Sequence, residues 1–548
     1  MKSLPTSPLW MIARVAACWL VCCVASAQLR VVSWNTNGGA RDGTATVLEA
    51  IGLEEVNGIA KPIDVLSLQE QSGGDTQSIV DVLNGIYGAG IYAAAPVPTN
   101  AQSSGAGLPG LVYNTQTVDL LETIAFGSVN TSAQARSTLR YRLVPEGYHQ
   151  RASFLVYSNH YKASTGGSNE ARRLVEANAL RSDLDAMNES QAAILSGDFN
   201  TYSSSEPGYH ALLAPGPGQA FDPVASPGNW HDNSAFRALH TQSPATSPKF
   251  AGQVTGGIDD RFDFQLVTGE LLDNEGLDLL AGSYRTFGNN GTHSLNGSIT
   301  TGAGASPGVL AALESSSDHL PVVADYQVPA VLSFEAIPRE YFTAPVGEPL
   351  AFRFTARNAA DVAIDIAADE LDLVLTAVGN SVGSGEITDT LLVSDGAVDY
   401  GFQVDTSTLG GKFLTVTAYG YHTAELSTLA WSQAGIVFEG DYNGDGSVDA
   451  ADYTVWRENV GNDLYAMHNV AITWAEHESL PENRRTIGLP EYELWRDNYG
   501  RRLSDIVGAA TAVPEPAAVA LLLAGSLATG WRRREANPNR FPRSPEAQ

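Results

Sequence analysis

Cysteine is almost missing from this 548-residue chain: Cys18, Cys22 and Cys23 all lie within the first 27 residues. Once that segment is removed, the remainder can hold neither a disulfide framework nor a cysteine metal site. Basic residues are scarce too, 32 Lys and Arg against 61 Asp and Glu, a net charge of −29. So acidic a chain lacks the electrostatic footprint with which proteins grasp nucleic acid by neutralising phosphates. Residues 28–328 alone carry fifteen Lys and Arg against thirty Asp and Glu. A positive field there has to come from metal ions or from a local group such as Arg136, Arg140, Arg142 and Arg151, which otherwise reads as a solvated strand face. Long apolar runs are lacking as well. The fifteen mostly apolar residues that end at Trp531 would span about 22 Å as a helix, short of the roughly 30 Å hydrocarbon core.

What is present divides into segments, because 548 residues exceed one core. Residues 1–27 combine Lys2 and Arg14, an apolar run from Val15 to Val24, and Ala25-Ser26-Ala27, the pattern of a secretory signal peptide. Lipid attachment at Cys18 is the weaker alternative, since Arg14 interrupts the apolar run it needs. Residues 28–328 alternate strand-like and helix-like patterns, as α/β layers do. Strands are expected at Leu29–Trp34 and Ile63–Leu68, the latter leading to Glu70, and helices at Ala45–Val56 and Glu170–Met187. Residues 201–257, rich in Ser, Pro and Gly and containing Trp230 and His231, read as long surface loops. Residues 329–432 show alternation without helices, as in Leu371, Leu373 and Leu375, and predict a β-sandwich spacer.

Six short stretches end apolar runs on metal-capable or acid–base side chains. They are Trp34-Asn35-Thr36-Asn37, Leu68-Gln69-Glu70, Asn159-His160-Tyr161-Lys162, Gly197-Asp198-Phe199-Asn200, Arg261-Phe262-Asp263-Phe264 and Ser317-Asp318-His319. If the strand before Asp198 ends at Gly197 and its geometry persists, Asp198 and Asn200 share one side, as period-two alternation requires. An Asx turn at the strand end is the plainer alternative. Glu70, with neither Cys nor His beside it, suits a hard cation such as Mg²⁺ or Mn²⁺. Asp259 and Asp260 read as solvated loop acids.

Taken in order, the six stretches resemble the motif series of the endonuclease/exonuclease/phosphatase superfamily. The resemblance implies a four-layered α/β sandwich over residues 28–328 and a metal-dependent phosphoric ester hydrolase. It places Asn37 and Asp318 with Glu70 around the Mg²⁺ or Mn²⁺ ion. Asn35 and Asn200 would hold phosphate oxygens or water, and Asp198 would orient or deprotonate that water. His319 would pair with Asp263, and His160 would bind phosphate or protonate the leaving oxygen, with Lys162 close by. The substrate implied is a phosphodiester, with nucleic acid foremost; a phosphomonoester or a sphingomyelin-like lipid is the alternative. A calcium-dependent adhesion protein with an inactive enzyme domain is the reading from another class.

Residues 441–452 place Asp441, Asn443, Asp445, Ser447, Asp449 and Asp452 at calcium-loop spacing, with Gly446 at the sharp turn. The following Tyr453–Gly461 is echoed by Tyr492–Gly500. Residues 436–505 thus resemble a type I dockerin, a small helical EF-hand-like module. This implies bound Ca²⁺ in the first copy, a second loop lost within 462–491, and either a cohesin-like partner or a calcium-stapled helical pair with no partner. Val513-Pro514-Glu515-Pro516, the apolar run and Arg532-Arg533-Arg534 resemble a PEP-CTERM sorting signal over 513–534. That implies export, transient membrane contact, then release or surface attachment; a permanent single-pass anchor is the alternative.

Overall fold

In a computed structural model the described residues are 28–187, 190–337, 342–421, 427–467 and 485–510. The signal segment 1–27 and the sorting segment 513–534 lie outside them. Among the described residues no helix is long and apolar enough to cross a membrane.

Two mixed sheets face each other in the first 300 residues. The first runs, edge to edge, through Asp278–Leu279, Val322–Gln327, Leu29–Asn35, Val65–Gln71, Leu108–Asn114 and Tyr92–Ala94. The second runs through Ala220–Phe221, Asp263–Thr268, Ala193–Asp198, Phe154–His160, Thr138–Pro145 and Val118–Phe126. Central strands are buried on both faces and therefore read as near-continuous apolar runs. Val31, Val65, Tyr141, Val156, Ile194 and Val267 fill the space between the sheets. Helices Thr44–Leu53, Asp75–Tyr87 and Pro307–Ser316 cover the outside of the first sheet, with Val47, Leu48, Ile79, Leu83 and Leu313 packed on Leu66 and Leu68. Helix Gly167–Asp185 covers the second through Ala177, Leu180 and Leu184. The result is a four-layered α/β sandwich.

The inter-sheet layer is not wholly apolar. Ser67 of the first sheet meets Ser158 and Ser196 of the second at 2.8 Å each. Gln265 reaches across to the carbonyls of Val31 and Val322 at 3.0 and 2.8 Å. Hydrogen bonds are directional where apolar contacts are not, so these pairs fix how the two sheets sit against each other.

Several details differ from the sequence expectations, beyond shifts of two or three residues at the ends of strand Val65–Gln71 and helix Gly167–Asp185. The helix expected over 45–56 stops at Leu53, because Asn57 and Gly58 adopt positive φ (54° and 81°) and turn a short hairpin between Glu55–Val56 and Ile59–Ala60. The strand expected to end at Gly197 runs through it to Asp198. Residues 201–257 are not simply surface loops: they contain helix Pro207–Leu213, and Trp230 is fully buried. The cause is an internal ion pair, Arg261–Asp222 at 2.7 Å, whose guanidinium stacks 5.1 Å from the Trp230 ring.

Beyond Val328 a three-stranded sheet (Leu332–Ala336, Leu350–Asn358, Val398–Val404) packs on a five-stranded one (Phe342–Pro345, Ser427–Val437, Gly410–Tyr421, Leu371–Gly379, Glu386–Leu391). Alternate residues Phe352, Phe354, Leu373, Leu375, Leu414 and Val416 form its core, as period-two alternation requires. Helices Ala450–Asn459 and Leu489–Asn498 follow, and Trp495, Leu503 and Ile506 pack onto the sandwich. In the 441–452 loop Gly446 has φ 84°, and Asp441 accepts from the N–H groups of Gly444, Asp445 and Gly446. Asp452 is fully buried and accepts from Asn443 and Asp449 N–H.

The α/β unit and the sandwich join through backbone hydrogen bonds between Val328 and both Ala367 and Asp369, and through Asp369 Oδ2, which accepts from Gly276 N–H at 2.7 Å. Burial, reinforced by Glu275, Glu370 and Asp372, pushes Asp369 up to about 8 from 3.8. A carboxyl raised on folding favours the protonated folded state, so this contribution is complete below about pH 4 and is lost as pH rises towards 8. Asp369→Asn keeps the acceptor and removes the charge. Its Tm at pH 8 should exceed that of the parent by about 2–4 °C, the effect of roughly 1 kcal/mol in a unit of this size, with no gain at pH 4; scanning calorimetry at both pH values checks this.

Candidate active site

The polar residues lie where the two sheets end on the same side. Asp198 closes its strand with His160 beside it in parallel register and Asp263 beside it in antiparallel register. Neighbours in register project to one face, so these three stand abreast. Gly197 makes the arrangement possible: a Cβ there would lie 2.1 Å from the Asn159 carbonyl oxygen, and its φ is +138°. From the opposite sheet comes Asn35, the last residue of its strand, which pairs with Gln69. Its amide nitrogen donates at 3.1 Å to Glu70 Oε1 and at 3.1 Å to Asp198 Oδ2, joining carboxylates from both sheets.

Glu70 is aimed by a break in its strand. Pairing with Leu108–Asn114 slips between Leu68 and Gln71, and Glu70 takes a left-handed conformation at φ 63°. Such bulges redirect side chains near active sites. Gly107 (φ +66°) accommodates the kink, since a Cβ there would sit 2.4 Å from the Glu70 carbonyl carbon. Asn37 (φ 51°) and Asn200 (φ 48°) are left-handed as well, a clustering typical of functional sites.

The loop after helix Pro307–Ser316 is stapled to the Trp34–Asn35 strand end. Ser317 Oγ donates to the Asn35 carbonyl at 2.5 Å and accepts from His319 N–H at 3.0 Å, while Trp34 Nε1 donates to the His319 carbonyl at 2.9 Å. His319 Nδ1 is thereby held 2.7 Å from Asp263 Oδ2, and its Nε2 lies 3.7 Å from Asp198 Oδ2. His160 Nε2 is 3.5 Å from the same oxygen and 3.8 Å from Glu70 Oε1. Asp318 Oδ2 accepts from Asn37 Nδ2 and from Val254 N–H at 3.0 Å each, whereas Asp318 Oδ1 is buried with no partner.

Asn35, Asn37, Glu70, His160, Asp198, Asp263, Asp318 and His319 therefore occupy one neighbourhood. Asn200 lies at its edge. The chain leaves the strand at Asp198, so alternation does not apply: Asn200 N–H donates to Asp198 Oδ1 at 2.9 Å in an Asx turn, and its amide braces the Tyr161 carbonyl at 3.3 Å. Lys162 turns away to the Ala163 carbonyl. Of the four arginines only Arg136 faces the site, donating to the Tyr161 carbonyl at 3.1 Å and placing its charge near Asp198 and Glu70. Arg140 is taken by Asp183 and Glu122, and Arg142 by Ser153 and Gln191; Arg151 is exposed on a short 3₁₀ turn. Gln242, whose amide lies 2.7 Å from His319 Nε2, has no signal in the sequence, because it sits in the irregular 201–257 stretch. Asp260 is buried and bonded to His231 at 2.7 Å rather than solvated.

Electrostatics separates these groups. Burial raises Asp198 to about 7, with Asp263 and Glu70 adding to the rise and His319 opposing it. Burial also raises Glu70, against Asn35 and His319. Burial, then Arg136 and His319, hold His160 well below 6.5, so it is neutral. For His319 burial acts downward, but Asp263 and Asp198 outweigh it and hold the imidazole well above 6.5. One neutral and one cationic histidine thus flank a carboxylate poised near neutrality. A divalent ion fits the oxygen set: Glu70 is partly open, Asp318 keeps an orphaned buried oxygen, and no sulfur is near. In metal-free protein, imidazole NMR should show His319 titrating above 6.5 and His160 below it. Asp263→Asn should bring His319 down by at least about one unit; a parent His319 titrating below 6.5 would contradict the charge assignment.

No family model and no curated protein matches the chain. Among solved structures it is similar to an endonuclease/exonuclease/phosphatase family protein from Bacteroides thetaiotaomicron (15% identity, 55% of this chain and 94% of that one, TM-score 0.33). It is similar also to the human Nocturnin catalytic domain with bound sulfate anion (16%, 55% and 95%, 0.34) and to D. rerio TDP2 complexed with single strand DNA product (13%, 55% and 100%, 0.34). At TM-scores this low, the functional reading rests on the chain's own geometry.

Proposed function

We propose that this chain is a divalent-metal-dependent phosphoester hydrolase of the endonuclease/exonuclease/phosphatase type, acting as a phosphodiesterase on nucleic acid. The observation that carries the reading is the meeting of six separate sequence stretches in one cleft, with Asn35 at 3.1 Å, His160 at 3.5 Å and His319 at 3.7 Å from Asp198 Oδ2, Glu70 reached through Asn35 and Asp263 through His319. Glu70 and Asp318, with Asn37, would hold Mg²⁺ or Mn²⁺, which when bound neutralises phosphate charge. Asp198 in its ionised form orients and deprotonates a water, and Asn35 fixes the carboxylate that does so. His319, kept cationic by Asp263, stabilises charge developing on a phosphate oxygen beside it. His160, neutral at pH 7, binds a phosphate oxygen through Nε2–H.

A second reading, a small phosphoester in place of a long polyanion, is favoured by one observation: Arg140 and Arg142 are spent on Asp183, Glu122, Ser153 and Gln191, which leaves Arg136 as the arginine of the original four that faces the cleft. Outside the catalytic unit we infer Ca²⁺ in the 441–452 loop, a cohesin-like partner for the dockerin-like helices, export directed by residues 1–27, and transient membrane contact through 513–534.

With Mg²⁺ or Mn²⁺ the full chain should cleave plasmid DNA or RNA, and EDTA should abolish cleavage. Asp198→Asn and His319→Ala should each lower kcat/KM by about 10²–10⁴. Turnover of phosphomonoesters or sphingomyelin without DNA or RNA selects the alternative substrate. No turnover of any of them by a folded, metal-loaded chain sinks the enzyme reading.

A further inference from the structure

We propose that His231, Asp259 and Asp260 form a second divalent-cation site on the rim of the cleft. It would take a borderline ion such as Mn²⁺ or Zn²⁺ and present it to a phosphate oxygen of the substrate; the role of the ion, though not its binding, rests on the phosphoesterase reading.

Three ligand atoms, one from each residue, lie within 4.8 Å of one another. Their burial is graded, with Asp260 buried, Asp259 intermediate and His231 exposed, so the cluster has a floor and an open side. The backbone beneath is fully engaged. Thr241 and Gln242 N–H donate to the Asp260 carbonyl at 2.7 and 3.1 Å, and Asp259 N–H donates to the Gln242 carbonyl at 3.0 Å. From across the gap Asp232 N–H donates to the Asp259 carbonyl at 3.0 Å, while the Tyr202 ring stands edge-on to His231 at 5.5 Å. The side chains are thus presented by fixed main chain. The cluster also adjoins the catalytic centre: Gln242 forms an isolated β-bridge with both Asp260 and His319, and its amide touches His319 Nε2.

Charge makes the site incomplete as it stands. The groups acting most strongly on these three residues are each other, Asp232 and His319, with no lysine or arginine among them. Five other buried carboxylates of the same unit lie against a basic partner: Asp325 with Arg30, Asp64 with Lys61, Glu206 with Arg173, Asp222 with Arg261, and Glu314 with Lys249. Three acids around one exposed imidazole would repel a phosphate entering beside them. A divalent cation removes that repulsion and supplies an attraction in its place. One imidazole nitrogen with two carboxylate oxygens favours Mn²⁺ or Zn²⁺, unlike the all-oxygen set at Glu70 and Asp318. Binding releases to solvent the proton now shared between His231 Nδ1 and Asp260 Oδ1, which are 2.7 Å apart.

The alternative is a simple His–Asp ion pair that braces the loop. To distinguish them, the full chain is held in Ca²⁺ to fill the 441–452 loop and titrated with Zn²⁺ by calorimetry, then with Co²⁺ by visible absorption. The parent should bind one more equivalent than His231→Ala and than the isosteric Asp259→Asn, or bind it at least about 10-fold more tightly. That equivalent should persist in Glu70→Gln/Asp318→Asn, which separates it from the catalytic ion. Equal stoichiometry and Kd values within about twofold in the parent and both rim variants would overturn the site and leave the ion pair. If the equivalent is present while no phosphoester is turned over, the catalytic reading falls and the rim site stands.

Discussion

One carboxamide connects the two sheets of the α/β unit. Asn35 Nδ2 lies 3.1 Å from a carboxylate on its own sheet and 3.1 Å from one on the other, and it can do so only if the sheets neither slide nor part. Like charges repel strongly at a protein rim, and Glu70 adds to the rise of Asp198 accordingly. The Ser67–Ser158–Ser196 contact and the reach of Gln265 across the layer hold the spacing from behind. The amide and the His319 cation then answer the repulsion in front.

The scarcity of basic residues takes on a structural meaning in this context. Arg30, Arg173 and Arg261 are buried and bound to Asp325, Glu206 and Asp222, where they hold helices and loops to the sheets. Positive charge is thus used inside the layers and little of it is left for the surface around the cleft. On the proposed function, attraction of a phosphate would fall to His319, Arg136 and a bound cation, and association would weaken with ionic strength less steeply than for a protein with a basic groove.

How far the sequence discloses this arrangement differs by residue. Apolar runs ending on Asn35, His160 and Asp198 are readable because a central strand buried on both faces leaves a plain signature, whereas the pairing of His319 with Asp263 comes from the family resemblance alone. What proved unreadable depends on contacts distant in the chain. Trp230 sits in a Ser-, Pro- and Gly-rich stretch yet is buried, because Arg261 and Phe264 close over it. Arg140 and Arg142 alternate like a solvent-facing pair, yet helix Gly167–Asp185 supplies Asp183 to Arg140, and Gln191 beyond that helix receives Arg142. Extending strand geometry past Asp198 failed because Asn200 turns left-handed within two residues. Gln242 is a contact made by a loop, and no local pattern announces it.

The left-handed backbone at Glu70 has a consequence of its own. A branched or long side chain held at φ 63° costs the fold on the order of 1 kcal/mol, a penalty that glycine escapes and asparagine feels less. Chemistry and foldability thus pull in opposite directions at this one position. If Glu70 is the metal ligand proposed above, a Glu70→Gly chain would gain thermal robustness and lose the ion, while its layers stayed intact. On the proposed function, the identity of residue 70 would therefore mark whether such a chain can still hold the ion.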